Sequence, residues 1–419
     1  MLTLATDQQQ AVDKFIHFIK DTDEKEMVLI AGSGYGKTTS VIHMVDTLRK
    51  IDKLEGILLQ KKLNTAIHYT GLTNKAAKVL SIAVGEEAST IHTLLGLRVV
   101  DNYKTGTSYL KKTKDAKIIE NSIVFVDEAS MADESLVESI RKNTMNCRVV
   151  YILDDKQLLP IFESTCTVTN GVTIVAELQT IKRQAKGNSI IQLGQELRST
   201  VDTLKFPSFK AITPNVHHLS GDQFKAKVSE IYLSKDYADD PDEAKIICYT
   251  NKRVKAYNQY IREIHNQTEE FVIGEWVITN NPIMAGADNY APTDSTLQIT
   301  SITPETYYGL DGYSVELDNS IHTFLPKDGN QMKQLMKEYA ALKNWHDYFE
   351  VKNNMADLRP AHSITAFKAQ GSTYRNVFID LHDIGSCKNK GTTARMLYVS
   401  CTRPTDNLFI YGDLPSRYY

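Results

Sequence analysis

The sequence predicts an α/β protein built from two parallel-sheet lobes, with a β-hairpin and a small β-barrel inserted. Three observations predict it. Short β-rich apolar runs at 27–31, 123–126, 149–153, 246–248, 377–379 and 408–410 alternate with helical patterns, as buried parallel strands joined by helices do. The runs fall on both sides of residue 180, which calls for two sheets rather than one. Several of them end in polar motifs, at 31–38, 127–128 and 154–157.

The 419 residues leave room for several domains at roughly 150 residues each. A net charge of −3 excludes a polybasic protein whose affinity would come from global charge, though a local basic groove remains compatible with it. Hydrophobic residues make up 42%, and the mean hydropathy of −0.31 fits a soluble folded chain. No apolar run reaches the roughly 18 residues of a membrane helix, and the first residues lack signal-peptide character. The cysteines at 147, 166, 248, 387 and 401 form no Cys-x-x-Cys pair, so neither a disulfide framework nor a zinc ribbon is expected. The adjacent His217 and His218 read as a loop pair rather than metal ligands. A reduced, cytoplasmic, intracellular protein follows.

Along the chain, Val12, Phe15, Ile16 and Ile19 fall on one helical face, with Thr6 or Asp7 as N-cap. Residues 98–112 alternate loosely about Thr105 and Gly106, a hairpin signal, and 97–120 carry a net +3. From 269 to 358, β-like segments (271–278, 297–302 and 313–317) are separated by Pro, Gly, Asn and Asp. A helical pattern at 332–342 and the aromatics Trp345, Tyr348 and Phe349 close the stretch. It reads as a small β-barrel inserted into the second lobe.

Ala31-Gly32-Ser33-Gly34-Tyr35-Gly36-Lys37-Thr38 follows an apolar strand and opens a helix. The glycines let backbone N–H groups turn inward around phosphates, Lys37 reaches the terminal phosphates, and the Thr38 hydroxyl ligates Mg²⁺, with Thr39 beside it. Tyr35 reads as a surface aromatic. The strand 123–126 ends in Asp127 and Glu128: Asp127 is suited to Mg²⁺ and Glu128 to a general base polarising the attacking water. After strand 149–153, Gln157 is placed to bond the γ-phosphate or that water.

These three motifs in this order resemble the superfamily-one DNA helicases, most closely the RecD-like and phage Dda-type branch, and the resemblance extends over nearly the whole chain. It implies two RecA-like lobes: 1A over 1–177 with the hairpin 1B at 97–120, 2A over 178–268 and 359–419, and the barrel 2B over 269–358. Gln8 resembles the family's adenine reader. Thr73 and Asn74 resemble motif Ia, and His92 and Thr93 motif Ib. Arg183 with Gln184 resembles the first arginine motif of the second lobe, Thr250 with Asn251 motif IV, His362 to Ser372 motif V, and Leu397 to Arg403 motif VI. One departure is Asp154, where the family has Gly; it is expected to alter that turn while leaving Asp155 and Gln157.

The resemblance implies that Thr73, Asn74, His92, Thr93, Thr250, Asn251, His362, Thr365, Lys368 and Gln370 contact single-stranded nucleic acid. Residue chemistry agrees, since hydroxyls and amides at βα turns suit phosphate contacts. Thr73, Asn74 and Thr250 suit helix N-caps equally well, and Lys368 an ordinary surface lysine. Arg183 and Arg403 would reach across the cleft as arginine fingers, or serve as structural ion-pair partners. The hairpin would be the family's strand-separating pin, with Tyr103 and Tyr109 stacking on a terminal base pair, or simply a solvated hairpin. The implied function is an ATP- and Mg²⁺-dependent helicase, a monomer moving 5′→3′ on single-stranded DNA and opening forked duplexes. A single-strand-binding protein or replisome component is the implied partner, with no membrane. The competing readings are another P-loop NTPase and a single-strand translocase that does not separate strands.

Overall fold

A computed structural model describes residues 4–58, 65–102, 104–105, 107–113, 116–160, 166–180, 188–210, 213–284 and 290–419. The chain opens with α1 (Thr6–Lys20), which buries Ala11, Val12, Phe15 and Phe18 on one face. Its N-cap position falls to Ala5 rather than Thr6 or Asp7. Ala has no side-chain acceptor, so the cap is made from inside the helix: Gln8 Oε1 accepts from the Ala5 N–H at 3.0 Å. Asp7 instead accepts from the Gln179 and Thr180 amides, tying the helix start to the end of the first lobe.

β1 (Glu26–Ala31), α2 (Lys37–Leu58), β2 (Ala66–Gly71), α3 (Asn74–Val84), β3 (Ala88–Thr90) and α4 (Ile91–Leu94) follow. The antiparallel hairpin β4 (Leu97–Asn102) and β5 (Thr107–Lys112) leaves the lobe next. Then come β6 (Ile119–Glu120), β7 (Ser122–Asp127), α5 (Glu134–Asn143), β8 (Thr144–Met145), β9 (Arg148–Leu153) and β10 (Ile174–Leu178). Among the described residues the strands of the first lobe's sheet lie in the order β10-β1-β9-β7-β2-β3, all parallel. Alternate side chains leave opposite faces of each strand. Met27, Leu29 and Phe125 therefore join one core layer with Phe15 and Met44. Val28, Val124, Val126 and Tyr151 join the other with Ile91 and Val137.

The second lobe begins with α6 (Ser189–Thr203), β11 (Val216–Leu219), α7 (Gly221–Tyr232), α8 (Lys235–Asp239), β12 (Ala244–Cys248) and α9 (Asn251–Ile264). An inserted unit follows: β13 (Trp276–Thr279), β14 (Ile283–Met284), β15 (Tyr290–Ala291), β16 (Thr296–Tyr307), β17 (Leu310–Leu317), β18 (Ile321–Pro326), α10 (Gly329–Ala341), α11 (Trp345–Asn354) and β19 (Leu358–Pro360). The lobe resumes with β20 (Ser363–Thr365), α12 (Ala366–Ala369), β21 (Tyr374–Asp380), α13 (Leu381–Ile384), α14 (Lys390–Cys401) and β22 (Pro404–Tyr411). Its sheet runs β11-β22-β21-β12-β20, again parallel.

One sequence reading here differs from the structure. His217 and His218 lie in strand β11, not in a loop, because their neighbours pair in register with Leu408–Tyr411. The inserted sheet runs β18-β17-β16-β13-β19 among the described residues, and Phe324 of β18 bridges to Met355, just ahead of β19. Its Tyr308 and Phe324 side carries the helix pair α10–α11, through Met332, Leu335, Met336 and Tyr339. β10 pairs with β1 through Leu178, and β19 pairs with β13 through Pro360. All five cysteines are buried as free thiols, and no helix among the described residues is long and apolar enough to cross a membrane.

Candidate functional site

The strand order of the first lobe gathers β1, β9 and β7 side by side, so the three polar motifs that follow them meet at one edge of the sheet. After β1 the chain turns through Gly34 at φ +84° and Gly36 at φ +82°, in the left-handed region that side chains other than glycine rarely adopt. A Cβ on Gly36 would also stand 2.4 Å from Gln8 Nε2. Gln8 is 1% exposed, with Oε1 on Ala5 N–H and Nε2 3.4 Å from Tyr35 O, so its amide braces the turn. Gly32, Ser33, Lys37, Thr38 and Thr39 form the rest of the turn and the first residues of α2. Tyr35 is not a surface aromatic: it is 9% exposed, with its ring against Gly32 and Arg198.

Lys37 Nζ stands 3.8 Å from Glu128 Oε1. Burial works against its charge, but Glu128 and Asp127 outweigh burial and hold its pKa above the ordinary lysine value. At Asp127, burial and then the Glu128 charge push the carboxyl up to about 6, with Lys37 opposing. Glu128 itself takes φ +54° directly after the strand, an unusual backbone for a glutamate, and its Oε2 is buried without a hydrogen-bond partner. Gln157 is 1% exposed, and its Oε1 is likewise buried and unpartnered. Unpaired buried acceptors are costly, so these two mark a place that a polar ligand or water completes.

The second lobe closes the other side. A cavity of about 260 Å³ lies between the lobes, lined by Ser33, Gly34, Tyr35, Arg198, Tyr398 and Arg403 among others. Arg403 follows α14 and precedes β22, only 4% exposed. Its guanidinium donates to Val399 O, Ser372 O and Thr402 Oγ1, so in this state it is held by its own lobe. Burial lowers its pKa, with Glu128 the largest influence in the opposite direction. Gln370 was expected on nucleic acid. The structure puts it in the cleft instead, with Nε2 3.4 Å from both Ser130 Oγ and Leu158 O of the first lobe, and Oε1 unpartnered. Arg183 lies outside the described residues.

The other expected nucleic-acid contacts lie after β2, β3, β12 and β20. Thr73, Thr250 and Thr365 are all helix N-caps, accepting from Ala76, Arg253 and Lys368 amides. Thr250 also donates to Asp383 at 2.6 Å, which leaves its hydroxyl no proton for a phosphate. Asn74, Thr93 and Asn251 are exposed, and His92 is half-buried, where burial lowers its pKa. Lys368 Nζ is bound to Asp294 at 2.6 Å and Asn280 at 3.1 Å, both on the inserted unit. His362 corrects the sequence reading outright. It is 3% exposed, with Nδ1 2.6 Å from the Tyr237 hydroxyl, and cannot meet a strand at the surface. Tyr103 lies outside the described residues, and so does the Tyr109 side chain, of which only the backbone pairing with Val100 is described.

Residues 9–163 match the AAA domain family. The ATP-dependent DNA helicase dda of Enterobacteria phage T4 is 24% identical over 97% of this chain and 98% of its own length. An uncharacterized protein, R530, of Acanthamoeba polyphaga mimivirus is also 24% identical, over 96% and 98%. The Pif1 helicase from Bacteroides, in a crystal structure with ADP-AlF3 and single-stranded DNA, shares the fold with a TM-score of 0.53 at 13% identity, covering 100% of this chain and 94% of that one. The fold is the build of that Pif1 helicase, and the sequence is similar to the dda helicase over nearly its whole length. Its two parallel sheets are the RecA-like lobes of that build.

Within that helicase build, the sequence reading missed a set of contacts across the cleft. Tyr398 on α14 donates its hydroxyl proton to Asp154 Oδ2 at 2.7 Å and accepts from Ser33 N–H at 3.2 Å. Arg198 on α6 bonds Asp154 and, at 2.7 Å, Asp155. Arg395 donates to the carbonyls of Asp155 and Gln157, both at 2.6 Å. Partners 43 to 365 residues apart leave no local pattern; the only sequence signal was the unexpected Asp154 itself.

Proposed function

We propose that this chain is an ATP-dependent DNA helicase that moves 5′→3′ on single-stranded DNA and opens duplex ahead of it. The observation that carries the reading is the cleft: Lys37, Asp127, Glu128, Gln157 and Gln370 converge there, three of them with buried oxygens that have no partner. Lys37 and the loop amides would bind the phosphates. Thr38 and Asp127 would hold Mg²⁺, whose charge offsets that of the phosphates. The donor set fits, being a hydroxyl and a carboxylate whose ionisation burial disfavours unless a cation stands beside it. Glu128 Oε2 would take a proton from the attacking water, and Gln157 Oε1 would accept a hydrogen bond that orients it. Arg403 would exchange its own-lobe carbonyls for the γ-phosphate as the cleft closes.

Nucleic acid would lie along the strand ends, on Thr73, Asn74, His92 and Thr93 of the first lobe and on Asn251, Thr365 and Lys368 of the second. These groups position a backbone without reading sequence. The hairpin β4–β5 would meet the duplex junction. ATP would favour the closed arrangement because both lobes contact it, and hydrolysis would release that preference. The test is ATPase activity with and without single-stranded DNA, followed by unwinding of duplexes tailed at either end. DNA-stimulated hydrolysis with unwinding from a 5′ tail supports the proposal. Stimulation without any unwinding would leave a translocase, and efficient unwinding from a 3′ tail alone would reverse the assigned polarity.

A further inference from the structure

The turn after β9 belongs to the first lobe by its strand, yet the second lobe holds it. Asp154 is fully buried, and its carboxylate accepts from Arg198, the Tyr398 hydroxyl and the Lys156 amide. Arg395 fixes two carbonyls of the same turn. Leu158, the residue after Gln157, is packed in the second lobe's core with Ile190, Leu197 and Tyr398. A buried carboxylate paired across a cleft is held tightly, because removing one partner leaves an uncompensated charge. The second lobe therefore grips a turn that β9 anchors in the first.

Gln157 sits on that turn. Its Nε2 lies 3.5 Å from Asp154 Oδ2, the oxygen that also receives the Tyr398 proton. An amide whose nitrogen faces a carboxylate must point its oxygen the other way, and Gln157 Oε1 is the atom left buried without a partner. The same Tyr398 hydroxyl touches the phosphate loop at Ser33 N–H. One hydroxyl thus ties the loop, the turn and the second lobe together.

We propose that Asp154 is a positioning residue through which the second lobe, by Arg198 and Tyr398, sets the orientation of Gln157 at the nucleotide. A glycine at 154, as the helicase resemblance would have it, offers no carboxylate and no such route. The inference rests on the proposed nucleotide hydrolysis at this cleft, and it adds how the lobes are coupled there.

The test is ATP hydrolysis by Asp154→Asn, Tyr398→Phe and Arg198→Gln, alone and combined, beside nucleotide binding by a fluorescent ATP analogue and thermal melting. Asp154→Asn and Tyr398→Phe are close in shape to the native side chains. Each should lower DNA-stimulated kcat on the order of tenfold, with KM for ATP and analogue binding nearly unchanged. Asp154→Asn combined with Arg198→Gln should be no worse than Asp154→Asn alone. The decisive arm uses Gln157→Ala: in that background Asp154→Asn should have no further effect on kcat. If Asp154→Asn lowers kcat by the same factor there, or leaves kcat unchanged in the native background, Asp154 does not act through Gln157 and the proposal is overturned. Loss of analogue binding together with a lower melting temperature would also overturn it, by making the cluster structural only. A native chain with no ATPase activity would instead overturn the proposed function.

Discussion

The first lobe and the second carry similar residues at similar βα turns, but several of those in the second are already bonded within it. In the first lobe, Glu128 and Gln157 keep buried oxygens without partners, and Asn74 and Thr93 stand exposed at strand ends. In the second, Arg403 is bonded to its own lobe, Thr250 lies between Asp383 and the Arg253 amide, Lys368 is bound to Asp294, and His362 is sealed under Tyr237. On the function proposed above, the first lobe would meet its ligands preorganised. The second has to trade existing contacts for new ones, and such trades allow a ligand to drive motion, because only a difference in affinity between two states can shift them.

Substitutions can break or sharpen that contrast. The largest effect belongs to the preorganised side. Glu128→Gln should reduce hydrolysis by on the order of 10²–10⁴-fold while nucleotide binding and melting temperature stay near native values. A near-normal ATPase rate would remove the general-base role. Next comes Arg403→Ala, which should cost about 10³-fold in stimulated hydrolysis and also lower the melting temperature, since two buried carbonyls lose their donor. Arg403→Lys should not restore activity, because a point charge cannot reproduce the planar fork. If melting is unaffected in Arg403→Ala, the own-lobe bonds are not holding the second lobe together.

A middle-sized pair compares one residue from each lobe. His362→Ala should destabilise the fold by roughly 1–3 kcal/mol and leave affinity for single-stranded DNA unchanged. Asn74→Ala should weaken that affinity and leave melting unchanged. Binding titrations and melts on both variants would expose a reversed assignment at once. The smallest effect concerns Lys368. Asp294→Asn should release the lysine and tighten single-strand binding a few-fold at low salt, in keeping with about 0.2–1 kcal/mol for an exposed pair. The gain should fade as salt screens the phosphates; weaker binding in this variant would show that the pair holds Lys368 in its working position.

What the sequence made legible follows the same division. Strands β1, β7 and β9 are almost wholly apolar and lead straight into their motifs, so strand, turn and chemistry could be read from neighbouring residues. β2 was missed because Ala66–Gly71 mixes His, Tyr and Thr with only one branched apolar residue. His362 was misread because a motif's spacing does not say which way its first residue faces, and here it faces Tyr232 and Tyr237. Arg198, Arg395 and Tyr398 sit in helix interiors and meet the turn after β9 only through the tertiary fold.

The place of β22 in the second sheet has a consequence for synthesis on the ribosome. Among the described residues the first sheet has all its strands once residue 178 is made. In the second, β22 lies between β11 and β21, so β11 waits for residues 404–411, and β12 waits for β20 and β21. While the inserted unit is made and folds, β11 and β12 stay without their central partners, and exposed strand edges of that kind invite pairing with other chains. The nascent second lobe is thus the stretch most in need of shelter by chaperones. A ribosome that stalls between 264 and 404 would release a chain whose first lobe is finished and whose second is sticky.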